Sequence, residues 1–373
     1  MEEVFREAQN LLNKGEPFVI ATVVGTKGST PQKPGAKLLV REDGTGVGTL
    51  GGGCVEGDIW FAASRILKEG GEPTLTDYEL NEDIAAREGL VCGGTMYFLI
   101  DPVLDPAQIL PQVNNIVDAY DGSPSVGQAT LLKTSQDKGK VGDKLFIGDD
   151  GTVKGSLGDP LRDREVEDGL RGLRDYGRVK YLVTQDGAEV FMEGYTTPAA
   201  VIVAGGGHIG KSLAPLVKMM GLRLHVVDDR PEFANMERFP EADSVVVADY
   251  AEGLKQLDIR PNSSIIVATR GHREDDRALE AAVRSPAGYV GLVGSRRKTI
   301  LIHQELLKNG ISLERLKAVH APIGLDIGAK TPEEIALSIL SEIVAFREGR
   351  PGKTMTMEGR YLQKMAQKVG VLA

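Results

Sequence analysis

KLLVREDGTGVGTLG, residues 37–51, recurs about a hundred residues later as KLFIGDDGTVKGSLG, residues 144–158, with eight of fifteen positions identical and most of the rest conservative. The likeness spreads outward. Ala21-Thr-Val-Val resembles Ala129-Thr-Leu-Leu, and Gly94-Thr-Met-Tyr-Phe98 resembles Gly187-Ala-Glu-Val-Phe191. Self-similarity of this kind marks a duplicated supersecondary unit. In the first copy Glu42-Asp43-Gly44 is a strong turn between two β-rich runs, so the stretch reads as a hairpin. Past Gly51 the copies part: one continues Gly52-Gly53-Cys54-Val55-Glu56, the other Asp159-Pro160. A hairpin that is built once without the Gly-Gly-Cys run does not need it, so those residues are expected to serve function.

Working outward, residues 2–14 carry helical apolar spacing through Val4, Phe5, Ala8, Leu11 and Leu12. Phe18–Val24 reads as a strand, Gly25–Gly35 as a loop and Ile59–Lys68 as a helix ended by Gly70-Gly71. A second glycine site, Val91-Cys92-Gly93-Gly94, precedes the strand 95–100. In the second half-unit a helix is expected at 107–120, strands near 127–133 and 143–147, and a charged helix near 160–175. Ser135–Gly142 reads as a mobile polar loop.

After Tyr195-Thr-Thr-Pro198 the pattern changes. Ala200-Val-Ile-Val-Ala204 is an apolar run of buried parallel-strand type, followed at once by Gly205-Gly-Gly-His-Ile-Gly210. Strands at 223–227, 244–247, 264–268 and 289–293 then alternate with helix-like segments. The fold class is therefore α/β: an N-terminal α/β domain over 1–196 built from the duplicated unit, then a Rossmann-like, doubly wound parallel-sheet domain over 197–373.

GxGxxG alone is weak. Here it follows a strand, opens a helix and is followed about twenty residues later by Asp228, at the end of the next strand. Gly205, Gly207 and Gly210 admit a tight turn and close approach of a phosphate, and the helix N-terminus supplies donors. Asp228 is placed to take a ribose diol. His208 in the loop and His272 at a strand end are candidate ligand contacts. Gly294-Ser-Arg-Arg-Lys298 puts cations where a helix begins, against its dipole, which points to an anion at Arg296 and Arg297. Lys298 alone reads as a solvated charge. Asp326, between Gly324 and Gly328 and ahead of the capping box Thr331-Pro-Glu-Glu334, belongs to a loop expected to lie close to a ligand or the other domain.

Cys54 and Cys92 each touch a glycine pair. The bland reading is a small buried thiol. Against it, both lie in loops with little side-chain bulk, and Cys54 stands just before a helix start that favours thiolate. The five histidines lack metal-ligand spacing, and no serine nucleophile elbow is present. Composition sets limits: 373 residues, 41% hydrophobic and 26% charged, suit a soluble two-domain protein. A net charge of −9 argues against nucleic acid as a partner. Without a signal-type or membrane-length apolar run, the expected location is cytoplasmic.

Taken together, these motifs resemble the XdhC/CoxI family of xanthine dehydrogenase accessory factors. The resemblance rests on Gly28-Ser-Thr-Pro31, Pro34-Gly-Ala-Lys37, Gly51-Gly-Gly-Cys-Val-Glu56, Gly205–Gly210, Asp228 with Arg230-Pro231, Gly271-His272 with Asp275, Gly294–Lys298 and Pro322–Gly328. It covers both ends of the chain, whereas roughly 100–195 is weakly diagnostic. It implies an assembly factor, more a non-catalytic chaperone than an enzyme, that binds molybdenum cofactor (molybdopterin), supports its sulfuration and loads a xanthine dehydrogenase-type molybdoenzyme. Gly51, Gly52, Gly53, Cys54 and Glu56 would form one part of the cofactor site. Cys54 would be molybdenum ligand or sulfur relay, with Cys92 the weaker candidate. The resemblance leaves room for a cysteine desulfurase partner and a homodimer. Two rivals stand beside it on the same GxGxxG and Asp228: an NAD(P)-dependent oxidoreductase and a nucleotide-sensing regulatory protein.

Overall fold

The computed structural model describes residues 1–79, 94–357 and 359–369 and resolves the chain into two compact units, Met1–Pro198 and Ala199–Ala373. The first unit says the same thing twice. Its first half runs α1 (Glu2–Lys14), β1 (Phe18–Lys27), β2 (Lys37–Arg41), β3 (Gly46–Gly48), α2 (Gly53–Glu69), β4 (Thr74–Glu79) and β5 (Thr95–Val103). Its second half runs α3 (Pro106–Asp121), β6 (Val126–Lys133), β7 (Lys144–Ile147), β8 (Val153–Gly155), α4 (Pro160–Arg174), β9 (Val179–Val183) and β10 (Glu189–Tyr195). The strands form two antiparallel five-stranded sheets, β3-β2-β1-β5-β4 and β8-β7-β6-β10-β9, identical in order.

Strand alternation builds the layers. Val19, Ala21 and Val23 of β1 face α2 with Val55, Ile59 and Ala63, while Ala129 and Leu131 of β6 face α4 with Val166 and Leu170. The opposite faces pool in one core shared by both halves, where Phe18 and Leu39 meet Val126, Phe146 and Tyr195 beneath α1 and α3. Each helix starts for a local reason. α1 buries the expected stripe Val4, Phe5, Ala8, Leu11 and Leu12, and Gly15 ends it in the left-handed conformation. In α4, Asp159 accepts from Leu161 N and Arg162 N, with Pro160 in the first turn.

Three expectations need correction here. α2 begins at Gly53, not Ile59, so Cys54 lies in its first turn and not in a loop. The Gly-Gly-Cys run is also not an addition to the hairpin. Gly52 and Asp159 are both N-caps at matching positions, so the copies align through it without a gap. The segment 135–142 is likewise not a loose loop. Arg162, whose side chain is fully buried, donates from Nη1 to the carbonyls of Lys138 (2.9 Å) and Leu157 (2.6 Å), and Thr134 Oγ1 donates to Lys138 O.

The second unit holds β11 (Ala200–Ala204), α5 (His208–Met219), β12 (Arg223–Asp228), β13 (Ser244–Val247), α6 (Tyr250–Lys255), β14 (Ser264–Val267), α7 (His272–Arg284) and β15 (Tyr289–Leu292). It continues through α8 (Arg296–Lys308), α9 (Leu313–Lys317), β16 (Val319–His320), α10 (Pro332–Arg347) and α11 (Gly359–Lys368). The six strands pair in parallel in the order β13-β12-β11-β14-β15-β16. Ile202 and Ala204 of β11 pack against α7 and α8, and Val201 and Val203 against α5 and α10, so both faces are covered. The strand order switches direction between β11 and β14, and in sheets of this kind ligands bind outside the C-terminal strand ends at such a point.

Candidate functional site

At this point stands the glycine loop after β11, whose glycines have different duties. A Cβ on Gly205, where φ is 129°, would lie 2.2 Å from Ala268 O; on Gly206, 2.0 Å from Phe233 O; and on Gly210, 2.4 Å from Gly205 O. These three are required by packing. Gly207 is different. It caps α5 at φ −69°, a conformation open to any residue, and a Cβ there would meet nothing within 4 Å. Its bareness leaves space in front of a helix N-terminus that has no side-chain cap and no acid in its first turn.

Asp228 closes the floor. It is 0% exposed, and its carboxylate is fully engaged. Oδ2 accepts from Gly206 N (2.8 Å) and Arg230 Nη2 (3.0 Å), and Oδ1 from Arg230 N (3.1 Å) and Arg230 Nε (2.9 Å). Burial alone would raise its pKa, but the Arg230 and Gly206 hydrogen bonds outweigh it and hold the carboxyl below its ordinary range. A carboxylate has about four acceptor positions, and all are used. Asp228 thus holds the glycine loop and Arg230 in this arrangement. Arg230 lies over the Phe233 ring at 3.6 Å, and Arg238 Nε donates to Gly206 O (2.9 Å), so the loop is gripped from both sides. No motif in the sequence marked Phe233 or Arg238.

At the end of β14, Thr269 Oγ1 donates to Asp275 Oδ1 (2.7 Å), and Asp275 is buried in an ion pair with Lys298. Lys298 is thus not a solvated charge. Its neighbours are: Arg296 and Arg297 are exposed at the start of α8, and neither has a partner among the described residues. β15, which feeds α8, lies two strand spacings from β11, about 10 Å. His208 is exposed in the first turn of α5, and His272 opens α7 at the end of β14.

The loop after β16 is fixed to its own unit. Glu342 of α10 accepts from Gly324 N (2.7 Å) and Tyr289 Oη (2.7 Å) and contacts His320 Nδ1 at 3.1 Å. Burial opposes the charge, yet His320, Tyr289 and Gly324 together bring the Glu342 carboxyl down to about 2. Asp326 is left exposed at the loop tip.

In the first unit Glu56 has a structural task. Its Oε2 accepts from Thr49 Oγ1 (2.7 Å), Leu50 N (2.8 Å) and Gly52 N (3.0 Å). Asp163 does the same in the second copy, accepting from Ser156 Oγ and Leu157 N. Desolvation acts against the Glu56 charge, and the Thr49, Leu50 and Gly52 hydrogen bonds overcome it. Glu56 therefore holds the turn through Oε2. Gly51 (φ 115°), Gly52 (φ 75°) and Gly53 (φ 66°) share a left-handed backbone, and a Cβ on Gly52 would be in open space. Cys92 lies outside the described residues. Among those residues no group of three His, Cys, Asp or Glu side chains is arranged to hold a metal ion. No helix there is long and apolar enough to cross a membrane.

Comparison with known proteins fits this layout. Residues 11–79 match the XdhC and CoxI family, and residues 201–343 match the XdhC Rossmann domain. The chain is 26% identical to a probable xanthine dehydrogenase subunit of Bacillus subtilis, over 91% of this chain and 96% of that one. It is 22% identical to the molybdenum cofactor insertion chaperone PaoD of Escherichia coli, over 92% and 88%. It also matches the uncharacterized Escherichia coli protein YqeB, 27% identical over 94% of this chain, and spans about half of that longer relative's length. A crystal structure described as a xanthine dehydrogenase from Bacillus halodurans superposes with a TM-score of 0.63 at 26% identity, covering 96% of this chain and 99% of that one.

Proposed function

The chain belongs to the XdhC and CoxI family, and from that premise we propose that it carries molybdenum cofactor as cargo for a xanthine dehydrogenase-type molybdoenzyme. It shelters the cofactor while a sulfur atom, supplied by a cysteine desulfurase, is added, and then hands it to the client. Its similarity to an insertion chaperone supports an accessory role. The observation that carries the reading is the bare Gly207 at an uncapped helix N-terminus, in a unit whose exposed Arg296 and Arg297 have no protein anion to answer them among the described residues. Backbone N–H groups and guanidinium forks suit the phosphate of the cofactor.

Cys54, in the first turn of α2, supplies the soft atom. A cysteine is the residue of this run whose sulfur would suit molybdenum as ligand or would relay sulfur. When bound, the cofactor brings the metal centre on which the client depends. The NAD(P)-dependent oxidoreductase is disfavoured on one count: the carboxylate that would read the ribose has no acceptor position left.

Gly207→Leu tests the reading. Its backbone accepts a side chain without strain and its Cβ has room, so the fold should persist, as far-ultraviolet circular dichroism will show. The protein purified from a molybdenum-replete host should contain molybdenum and pterin in equal amounts, and the variant at least tenfold less of both. Equal loading of variant and wild type would exclude the glycine loop as the site.

A further inference from the structure

The first unit encloses a cavity of about 300 Å³ that the chemistry above does not use. Its walls come from β1, β2 and β5 on one side and β6, β7 and β10 on the other, so it sits where the two copies face each other. Corresponding residues meet there: Thr22 and Lys37 from the first copy, Thr130 and Lys144 from the second. The acids arrive crosswise. Lys37 Nζ is 2.8 Å from Glu193 Oε1, and Lys144 Nζ is 2.7 Å from Asp101 Oδ2. Glu193 pairs with Gln128 of β6 as Asp101 pairs with Ile20 of β1, so the two acids also correspond.

The charges buried at its centre match two against two, and the further lining charges, Asp105 and Lys154, are exposed at its edge, where water screens them. A charged ligand would have to separate one pair and strand its partner, which is costly in a buried site. Away from that exposed edge, the polar groups left unused are neutral. The side chains of Gln128 and Thr130 have no partner among the described residues, and the Thr22 hydroxyl, which accepts from Lys37 at 3.0 Å, retains its proton to donate. Around them stand flat or branched apolar walls, including Ile20, Leu99, Phe146 and Phe191. The volume lies at the lower end of small-molecule sites, about 300–1,000 Å³.

We propose that this cavity binds an uncharged, flat heterocycle of one or two rings whose edge carries both an N–H and a carbonyl. A glutamine amide offers one donor and one acceptor side by side and pairs with such a lactam edge. The hydroxyls take its remaining polar atoms, and Phe146 and Phe191 offer aromatic surface to the ring.

Calorimetric titration of the full chain with hypoxanthine and with uracil, against glutamate and inorganic phosphate, tests this. Saturable heat is expected with at least one heterocycle and none with the two ions. Gln128→Leu should weaken binding about tenfold and Thr130→Val about fivefold, with circular dichroism confirming that each variant folds. Thr130→Val is nearly isosteric and keeps the test available if Gln128→Leu disturbs the fold. Gly207→Leu, in the other unit, should leave this binding intact, which separates the cavity from the cargo site. Failure of wild-type protein to bind either heterocycle, binding of glutamate or phosphate instead, or unchanged affinity in the folded variants would overturn the proposal.

Discussion

The two copies in the N-terminal unit share strand order, hairpins and the hydrogen-bonded turn before their second helix, yet they start that helix differently. The second uses Asp159 as cap, Pro160 in the first turn and a buried Arg162. The first places Gly52, Gly53, Cys54 and Val55 at the same positions, with no capping side chain and two left-handed glycines. A cap of the Asp159 type contributes about 1 kcal/mol, and glycine inside a helix costs about as much again. One copy therefore has the stabilising solution and the other forgoes it. What the first copy keeps in exchange is a helix start without a side-chain cap and with a cysteine in its first turn. The turn itself is common property, because Glu56 and Asp163 hold it in both copies.

The sharpest way to break the comparison is through the crossed ion pairs. Lys37 and Glu193 are 3% and 4% exposed, whereas Lys144 and Asp101 are 31% and 16% exposed. Lys37→Met should cost about 3–5 kcal/mol by stranding a buried carboxylate, and Lys144→Met about 1 kcal/mol because water reaches that pair. Urea unfolding of both variants measures the difference; equal costs would mean that the copies do not differ in depth at this point. Pairing Lys37→Met with Glu193→Leu should return most of the loss.

Arg162→Met comes next, at about 3 kcal/mol, since it removes a donor from the Lys138 and Leu157 carbonyls and from Asp186 Oδ2. Its acid dependence is a second readout. The Arg162 hydrogen bond, with help from Thr184, lowers the Asp186 carboxyl from 3.8 to about 2. A depressed folded-state pKa contributes stability that is present above pH about 4 and lost as pH falls toward 2. Wild type should therefore lose stability across that window more steeply than Arg162→Met; parallel curves would show that Arg162 does not set the Asp186 charge. The smallest effect belongs to the cap. Asp159→Ala should cost about 1 kcal/mol, read by the same unfolding titration, while Gly52 has no side-chain cap to lose.

The elements set by local pattern were legible in the sequence. Glu2–Lys14, Lys37–Arg41 and Ser244–Val247 follow from periodicity and turn residues read within a few positions. The parallel C-terminal sheet followed from an apolar run before GxGxxG. What escaped depends on partners far along the chain. Lys298 looks solvated until Asp275 is placed beside it, and Asp228 looks free until Arg230 and the Gly206 N–H fill its acceptor positions. α2 starts earlier than the apolar spacing indicates because a glycine run opens it, and the carboxylate holding that run points back from Glu56. The Lys37–Glu193 pair left no local trace, although the repeat places a lysine at both 37 and 144.

The central claim is delivery of cofactor, and reconstitution measures it most directly. Protein loaded with molybdenum cofactor is mixed with a cofactor-free xanthine dehydrogenase-type enzyme, and hydroxylase activity is followed beside an equal amount of free cofactor. Wild type should restore activity at least tenfold more efficiently than free cofactor, and Cys54→Ser, although folded, should restore much less. If the loaded wild-type protein restores no more activity than free cofactor, the chain is not the carrier proposed here.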